Sequence, residues 1–148
     1  IEKAAELDDE IIIEEYIKGT EITCGMLKTK AKEVIFPLTE IVSKNAFFDY
    51  EAKYTPTKAD EITPARIAPE LAEKCKNISS QIVSKLNCIG LLRLDYIISG
   101  DKFYFLEINT IPGMTQNSLV PQQIRAAGIK EADVFSELIE DAIQRKNP

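Results

Sequence analysis

The most constraining feature of the sequence is residues 91–115, LLRLDYIISGDKFYFLEINTIPGMT, in which two apolar runs flank a Gly–Asp turn. This arrangement predicts a β-hairpin. Each run nevertheless carries polar residues, with Arg93 and Asp95 in the first run and Glu107 and Asn109 in the second. Because side chains two positions apart on a strand share a face, each run places its two polar side chains together.

The pairing of the two predicted strands decides whether these polar pairs meet. Directly opposed residues of an antiparallel pair share a face. If Asp95 lies opposite Glu107, then Arg93 lies opposite Asn109. Residues 100–102 then remain as a three-residue loop, which is a common length for a hairpin. The sequence therefore predicts a polar sheet face on which two acids oppose each other.

Two opposed acids repel each other, and a divalent cation between them removes that repulsion. Carboxylate and amide oxygens are the hard donors that Mg²⁺ prefers, together with water and substrate phosphates. Arg93 beside them suits a phosphate or an oxyanion. The alternative is a solvent-facing polar face with incidental contacts. Two joined strands with alternating polar groups, followed by a loop that contains Gly and Pro, favour the metal site.

Composition limits the chemistry that is available to this chain of 148 residues. A net charge of −6 argues against a general nucleic-acid role, because phosphate binding needs clustered cations. The lack of histidine excludes Ser-His-Asp and Cys-His catalysis and histidine-ligated zinc. Chemistry must then use carboxylates, Arg, Lys, backbone amides or a hard cation.

The cysteines and the apolar runs indicate a cytoplasmic location. Cys24, Cys75 and Cys88 lack metal-ligand spacing and lie in or beside apolar patterns, so we expect reduced core thiols. No apolar run approaches the roughly 20 residues needed to span a bilayer, and no signal-peptide pattern opens the chain. We therefore expect neither a membrane nor a nucleic-acid partner.

The first half of the chain predicts a helix and several strands. Residues 1–10 are typical of the tail of a helix, which suggests a truncated start. Residues 11–17, IIIEEYI, predict a short strand, and residues 18–42 predict two or three more with turns at 18–19 and 29–31. Residues 43–69 lose all periodicity. A loop of that length is usually functional or disordered, and its aromatic residues favour order.

Three helices are predicted in the second half, at residues 69–86, 119–127 and 132–144, with Pro69 in the first turn of the first. Since the strands are mostly neighbours and the helices are segregated, we expect an α+β domain with a largely antiparallel sheet. The predicted buried faces are Leu71, Cys75, Ile78, Ile82 and Leu86 in the first helix, and Val134, Phe135, Leu138, Ile139 and Ile143 in the last.

Several ordered motifs resemble one family. The segments RLD, FLEINTIPGMT and NSLVP, with EEYIKGTEIT and FFDYEAKYT further upstream, are similar to the D-alanine–D-alanine ligases of the ATP-grasp superfamily. Motifs in a fixed order are more specific than one short pattern. The resemblance implies that residues 1–148 form the C-terminal ATP-grasp lobe, a mainly antiparallel sheet with flanking helices. It also implies that the N-terminal and central domains of the enzyme are absent.

The resemblance implies a site for ATP and two Mg²⁺ ions, or Mn²⁺. Asp95, Glu107 and Asn109 match the metal ligands of the family. Glu14 matches a residue near the adenine amino group, although by themselves Glu14 and Glu15 are more typical of a solvated strand end. The other matching nucleotide positions are Glu15 and Ile17, whose backbone lines the adenine pocket, and Glu21, which binds the ribose hydroxyls.

The resemblance also implies catalytic and substrate-binding residues. Residues 43–69 match a loop that closes over the site, in which Lys53 contacts the terminal phosphate of ATP and Tyr54 favours D-alanine as second substrate. Arg93 and the backbone amide of Gly113 match the pair that stabilises the oxyanion. Ser118 and Leu119 match the site of the second substrate's carboxylate. Ser118 is also a candidate N-cap for the next helix, with Pro121 in its first turn.

The implied reaction joins two D-alanines through a D-alanyl phosphate, in the synthesis of peptidoglycan precursors. The partners implied are ATP, D-alanine and the domains that this chain lacks, in an enzyme that is a candidate homodimer. By itself, this chain is expected to be inactive. One alternative is a stand-alone module that binds ATP and Mg²⁺, for which NSLVP has no purpose. The other is a different ATP-grasp carboxylate–amine ligase, against which DYEAKY and PGMTQNSLVP argue.

Overall fold

The structure is a computed structural model that describes residues 2–43 and 59–146. None of the helices in these ranges is long and apolar enough to cross a membrane. The elements in chain order are α1 Glu2–Ala5, β1 Thr20–Lys28, β2 Glu33–Ile35, β3 Thr39–Ser43, β4 Ala59–Ile62, α2 Pro69–Lys85, β5 Gly90–Ser99, β6 Lys102–Asn109, α3 Leu119–Ala126 and α4 Glu131–Lys146.

The described strands form one antiparallel sheet in the order β4-β3-β1-β5-β6, and β2 pairs with the C-terminal end of β1. Alternation along β1 and β5 sends successive side chains to opposite faces. One face packs against α2, and the other packs against α3 and α4 at one end only. The first core contains Ile22, Cys24, Met26, Leu92, Leu94 and Tyr96, and the second contains Leu27, Phe36, Leu91, Val120, Ile124 and Val134. The predicted antiparallel α+β fold is confirmed.

The turn between β5 and β6 is one residue shorter than predicted. Ser99 pairs with Lys102, so the loop is Gly100–Asp101 rather than three residues. Gly100 has a φ of 58°, a left-handed conformation that a glycine adopts without steric cost. The three-residue loop was therefore wrong, and a two-residue turn starts the pairing in a different register.

A β-bulge restores the register that the site requires. With the pairing that begins at the turn, Phe105 lies opposite Tyr96, and Leu106 would follow opposite Asp95. The register instead shifts between Asp95 and Tyr96, so that Asp95 pairs with Glu107. An extra residue in one strand produces this change. The predicted pairing of the two acids is thus confirmed, although it arises from a bulge and not from the loop length.

Two predictions for the first half of the chain were wrong. Residues 11–17 form no strand, because no strand within the described ranges pairs with them. A strand without a neighbour would leave its backbone N–H and C=O groups without inter-strand hydrogen bonds.

The predicted long loop contains strand β4, which pairs with β3 from Glu40↔Ile62 to Ser43↔Ala59. Because β4 lies at the sheet edge, its sequence ADEI carries no apolar alternation that would predict it. The part of that loop before β4, residues 44–58, lies outside the described residues.

Helix α2 begins at Pro69 as predicted, and Leu71, Cys75, Ile78 and Ile82 of the predicted face pack in or against the first core. The fully buried positions of the helix nevertheless include two residues that were not predicted. Ser79 and Val83 are fully buried with Cys75, whereas Leu86 lies beyond the helix and is 55% exposed. The Ser79 hydroxyl is satisfied inside the core, since it donates to the carbonyl of Cys75 at 2.9 Å and lies 2.8 Å from the Tyr96 hydroxyl. A polar residue on the buried face is what the apolar pattern missed.

The buried face of α4 also differs from the predicted one because it includes a polar residue. Val134 and Asp141 are buried, while Phe135, Ile139 and Ile143 are exposed, so the predicted stripe was wrong for these three. The carboxylate of Asp141 accepts hydrogen bonds from the backbone N–H of Lys30 at 2.8 Å and from Arg145 Nε at 2.7 Å. These contacts attach α4 to the turn between β1 and β2 and direct Asp141 inward.

The three thiols are free, and the prediction of core thiols is confirmed for Cys24 and Cys75, while Cys88 is half-buried. Burial raises the pKa of the Cys24 thiol to about 11 and that of the Cys75 thiol to about 12. The thiolate is the reactive form, so both core thiols should resist alkylation.

This difference in burial is testable by alkylation with iodoacetamide at pH 8 and peptide mass spectrometry. At that pH a thiol with a pKa of about 11 is ionised in roughly a thousandth of molecules, so Cys24 and Cys75 should stay unmodified while Cys88 reacts. All three should react in denaturant. Equal labelling rates for the three thiols in the folded protein would contradict this packing.

Candidate active site

An open cleft of about 760 Å³ lies on the part of the sheet face that α3 and α4 leave uncovered. Strands β1, β5 and β6 form its floor, and the loop that precedes α3 forms one wall. Most of the residues predicted for the site line this cleft: Glu21, Arg93, Asp95, Glu107, Gly113, Ser118 and Leu119.

Asp95 is the most enclosed acid of the cleft and is 9% exposed. Arg93 lies two residues before it on the same face, and its Nη2 and Nε donate to Asp95 Oδ2 at 2.9 and 3.1 Å. Thr23 lies directly opposite Asp95 on β1, and its hydroxyl donates to Oδ1 at 2.9 Å. Hydrogen bonds from two neighbours therefore fix the orientation of this carboxylate.

Glu107 completes the opposed pair from β6 and is more exposed than Asp95. Arg93 Nη2 lies 3.5 Å from Glu107 Oε1, so one guanidinium partly neutralises both acids. Asn109, opposite Arg93, donates from its Nδ2 to Glu107 Oε1 at 2.9 Å. The expected arrangement, in which Arg93 holds the acid pair and Asn109 shares its face, is confirmed.

These residues fit a hard divalent cation. Asp95 and Glu107 contribute carboxylate oxygens from adjacent strands, and the amide of Asn109 keeps its carbonyl oxygen available while its nitrogen binds Glu107. Among the described residues, no three His, Cys, Asp or Glu side chains cluster as a metal site. Two carboxylates and one amide nevertheless suit Mg²⁺, which usually keeps waters and takes further oxygens from substrate phosphates.

The loop that leads into α3 is held by a pair of hydroxyls. Ser118 Oγ accepts the backbone N–H of Thr115 at 3.1 Å and lies 2.8 Å from Thr115 Oγ1. Ser118 occupies the N-cap position of α3 and Pro121 lies in its first turn, as predicted, although the Ser118 hydroxyl makes no capping hydrogen bond. A side chain at Gly113 would place its Cβ 3.1 Å from Ser118 Oγ, so glycine leaves room for this hydroxyl beside the cleft.

Among the described residues, some that were predicted for the site do not line this cleft, and Asn109 is one of them, although its amide contacts Glu107. Glu14, Glu15 and Ile17 belong to the segment without regular secondary structure and are absent from the lining. Lys53 and Tyr54 lie outside the described residues. The roles predicted for these residues, and for those that line the cleft, stay predictions.

The family described as D-ala D-ala ligase C-terminus matches residues 1–140. The chain belongs to this family. The curated D-alanine–D-alanine ligase of Phocaeicola vulgatus is 55% identical over 95% of this chain and 44% of that protein. Two crystal structures of the D-alanine–D-alanine ligase of Bacillus anthracis are also similar to this chain, with TM-scores of 0.77 and, for the complex with ATP, 0.76. Each is 35% identical in sequence, and the match covers 99% of this chain and 47% of that ligase.

The match confirms the predicted ATP-grasp C-terminal fold, with its antiparallel sheet and flanking helices. The chain spans less than half the length of these relatives. Among the motifs of the family, RLD and FLEIN supply the acids on the sheet floor, while PGMTQNSLV supplies the wall.

Sequence reasoning missed two polar residues that support the site. Thr23 lies two residues after Glu21 on β1, so the two side chains share a sheet face. This spacing of polar residues could have predicted that Thr23 lies at the site. Gln123 is fully buried on α3 and donates to the carbonyl of Thr23. It lies between Val120 and Ile124 on the buried side of the helix, where apolar periodicity gives no indication of a polar residue.

These contacts predict that removing the charge of Asp95 lowers the free energy of unfolding more than removing the charge of Glu107. Asp95→Asn removes the charge that Arg93 binds in a nearly buried place, so we expect the free energy of unfolding to fall by about 1–3 kcal/mol. Glu107→Gln affects a half-exposed carboxylate at a longer distance and should cost under about 1 kcal/mol. Urea denaturation without metal or nucleotide measures both. A larger loss for Glu107→Gln than for Asp95→Asn would contradict the assigned contacts.

Proposed function

We propose that this chain is the C-terminal ATP-grasp domain, residues 1–148, of a D-alanine–D-alanine ligase. The complete enzyme would join two D-alanines with ATP and Mg²⁺, for peptidoglycan precursor synthesis. The observation that carries the proposal is the pair of Asp95 and Glu107, which meets Arg93 and the Ser118 loop at one cleft, with Asn109 bound to Glu107 beside it. The family match supports it.

The proposed cation site uses Asp95, Glu107 and Asn109. When bound, Mg²⁺ or Mn²⁺ neutralises charge on the ATP phosphates, which is a large part of what phosphoryl transfer requires. We assign Glu21, at the edge of the cleft, to the ribose hydroxyls. Glu14, Glu15 and Ile17 are assigned to the adenine, and Lys53 to the terminal phosphate.

The proposed reaction has two steps. The carboxylate of the first D-alanine attacks the γ-phosphorus of ATP and gives D-alanyl phosphate and ADP. The amine of the second D-alanine then attacks the acyl carbon, loses a proton, and releases phosphate. Ser118 and Leu119 are proposed to hold the carboxylate of the second substrate beside the N-terminus of α3, where backbone N–H groups favour an anion.

Arg93 and the amide of Gly113 are proposed to stabilise the oxyanion of the second step. Arg93 is well placed for this, because its guanidinium faces the cleft while Asp95 fixes its orientation. A donor that is oriented before the charge develops costs no reorganisation during the reaction. Tyr54 is proposed to act from the closing loop, in favour of D-alanine as second substrate.

The location and assembly of the enzyme stay predictions. We infer a cytoplasmic enzyme, where ATP and D-alanine are both available, and a homodimer. The described portion of the chain carries one wall of the proposed cleft, and the domains that complete it are the inferred partners. Size-exclusion chromatography with light scattering on the complete ligase tests the dimer.

Phosphate release in the presence of ATP, Mg²⁺ and D-alanine tests the proposed function. The complete ligase should release phosphate with D-alanine and form D-alanyl-D-alanine, which chromatography identifies. The present chain by itself should not, because positioning supplies much of the rate and phosphate contacts are needed from both sides. Rapid D-alanine-dependent turnover by the isolated chain would refute the domain assignment. ATP binding without dipeptide formation in the complete protein would favour the binding-module alternative.

Substitutions in the complete ligase separate the proposed roles. Arg93→Ala should lower kcat about 100-fold or more with a smaller effect on ATP affinity, since its proposed partner charge develops in the transition state. Glu107→Ala should weaken Mg²⁺-dependent ATP binding and lower kcat together. Steady-state kinetics and isothermal titration calorimetry measure both. A wild-type kcat in Arg93→Ala would show that Arg93 does not stabilise the oxyanion.

A further inference from the structure

Gln123 is a fully buried amide in the middle of α3. Its Nε2 donates to the carbonyl oxygen of Thr23 at 2.9 Å and to Thr39 Oγ1 at 2.9 Å. The carbonyl oxygen of Thr23 can only accept, so this contact fixes which end of the amide faces the sheet. Gln123 thereby attaches α3 to β1 and β3 together.

The amide is pressed against the backbone of the sheet at Gly25. A Cβ at Gly25 would clash with Gln123 Oε1, so any side chain there would displace the amide from this position. Oε1 itself has no hydrogen-bond partner among the described residues. A buried acceptor without a partner destabilises a fold, so a gain in stability does not by itself account for an amide here. What the amide does provide is a fixed position of α3 over the sheet.

Thr23 connects this contact to the cleft. Its carbonyl accepts from Gln123, while its own hydroxyl donates to Asp95 Oδ1 at 2.9 Å. On the other side, the hydroxyl of Thr39 accepts from Gln123 and lies 2.6 Å from Thr63 Oγ1, which extends the chain of contacts toward the sheet edge. A continuous series of polar contacts therefore runs from α3 to the proposed cation ligand.

Gln123 also lies at the boundary between the covered and open parts of this sheet face. On β1, Leu27 packs in the core beneath α3 and α4, whereas Thr23 lines the cleft; Gly25 lies between them. The helix that carries Gln123 begins directly after Ser118. The position of this amide therefore determines how far the start of α3 lies from Asp95.

We propose that Gln123, acting through Thr23, is a positioning residue that sets the separation between the cation site at Asp95 and the carboxylate subsite at Ser118 and Leu119. This inference rests on the proposed function. Contacts behind a metal ligand typically change metal affinity or activity by about 10- to 100-fold when they are removed. Loosening Gln123 should therefore affect both the cation and the second D-alanine, and leave metal-free nucleotide binding unchanged.

The test uses two variants of the complete ligase and a matched control. Gln123→Met keeps the length of the side chain and removes both donors, and Thr23→Val removes the hydroxyl that binds Asp95. Gln144→Met makes the same exchange at an exposed position of α4. Mn²⁺ binding is measured by electron paramagnetic resonance with ADP, the KM for D-alanine by steady-state kinetics, and ADP binding in EDTA by calorimetry.

We expect Gln123→Met and Thr23→Val to weaken Mn²⁺ binding by roughly 10-fold, and Gln123→Met also to raise the KM for the second D-alanine. The double variant should bind Mn²⁺ about as weakly as the weaker single variant, because both changes interrupt one series of contacts. Gln144→Met should match the wild type in every measurement.

Wild-type Mn²⁺ affinity and D-alanine KM in a folded Gln123→Met variant would overturn the inference. If circular dichroism shows that Gln123→Met does not fold, the Thr23→Val variant is the test. Wild-type Mn²⁺ affinity in Thr23→Val would then overturn the inference. A wild-type protein that binds Mn²⁺ but forms no dipeptide would refute the proposed function instead. The comparison of Mn²⁺ affinities among the variants would still decide the role of Gln123.

Discussion

The site depends on two carboxylates that the hairpin places opposite each other. Asp95 and Glu107 pair across β5 and β6, so their charges share one sheet face and repel each other. Arg93 lies close enough to both acids to neutralise part of it. A fold that keeps such a pair at the floor of a cleft maintains a place for positive charge, and this geometry suits a divalent cation.

The rest of the structure maintains this pairing. The bulge at Leu106 corrects the register that the two-residue turn would otherwise impose, and without it Glu107 would point toward the core beneath α2. Thr23 on β1 orients Asp95 from the other side. The close approach of Gln123 to Gly25 then places α3 so that Ser118 faces the same cleft. The acids, the arginine and the helix start are therefore positioned by strands and a helix rather than by loops alone.

Much of this arrangement could be predicted from the sequence, because it depends on the period of two along a strand. The placement of Arg93 beside Asp95 and of Glu107 beside Asn109 followed from spacing, whereas the opposition of Asp95 to Glu107 was predicted together with a three-residue loop. That loop length was wrong, since a bulge is an irregularity that no alternation encodes. Strand β4 was missed because an edge strand need not alternate.

The errors in the helices share one physical cause. In α2 and α4 a polar residue, Ser79 or Asp141, lies on the buried face because hydrogen bonds satisfy it there. An apolar pattern assigns the buried face to Leu86 or Ile143 instead. Gln123 escaped notice for the same reason. Buried polar residues depend on partners distant in sequence, and these partners become visible only in the folded chain.

We propose that the opposed acids bind the divalent cation of an ATP-dependent ligase. Anomalous X-ray scattering from crystals of the complete ligase grown with Mn²⁺ and ADP tests this proposal. We expect a Mn²⁺ peak coordinated by oxygens of Asp95, Glu107 and Asn109, next to the phosphates of the nucleotide. A bound nucleotide with no Mn²⁺ at these three residues, or with Mn²⁺ coordinated by other side chains, would contradict it.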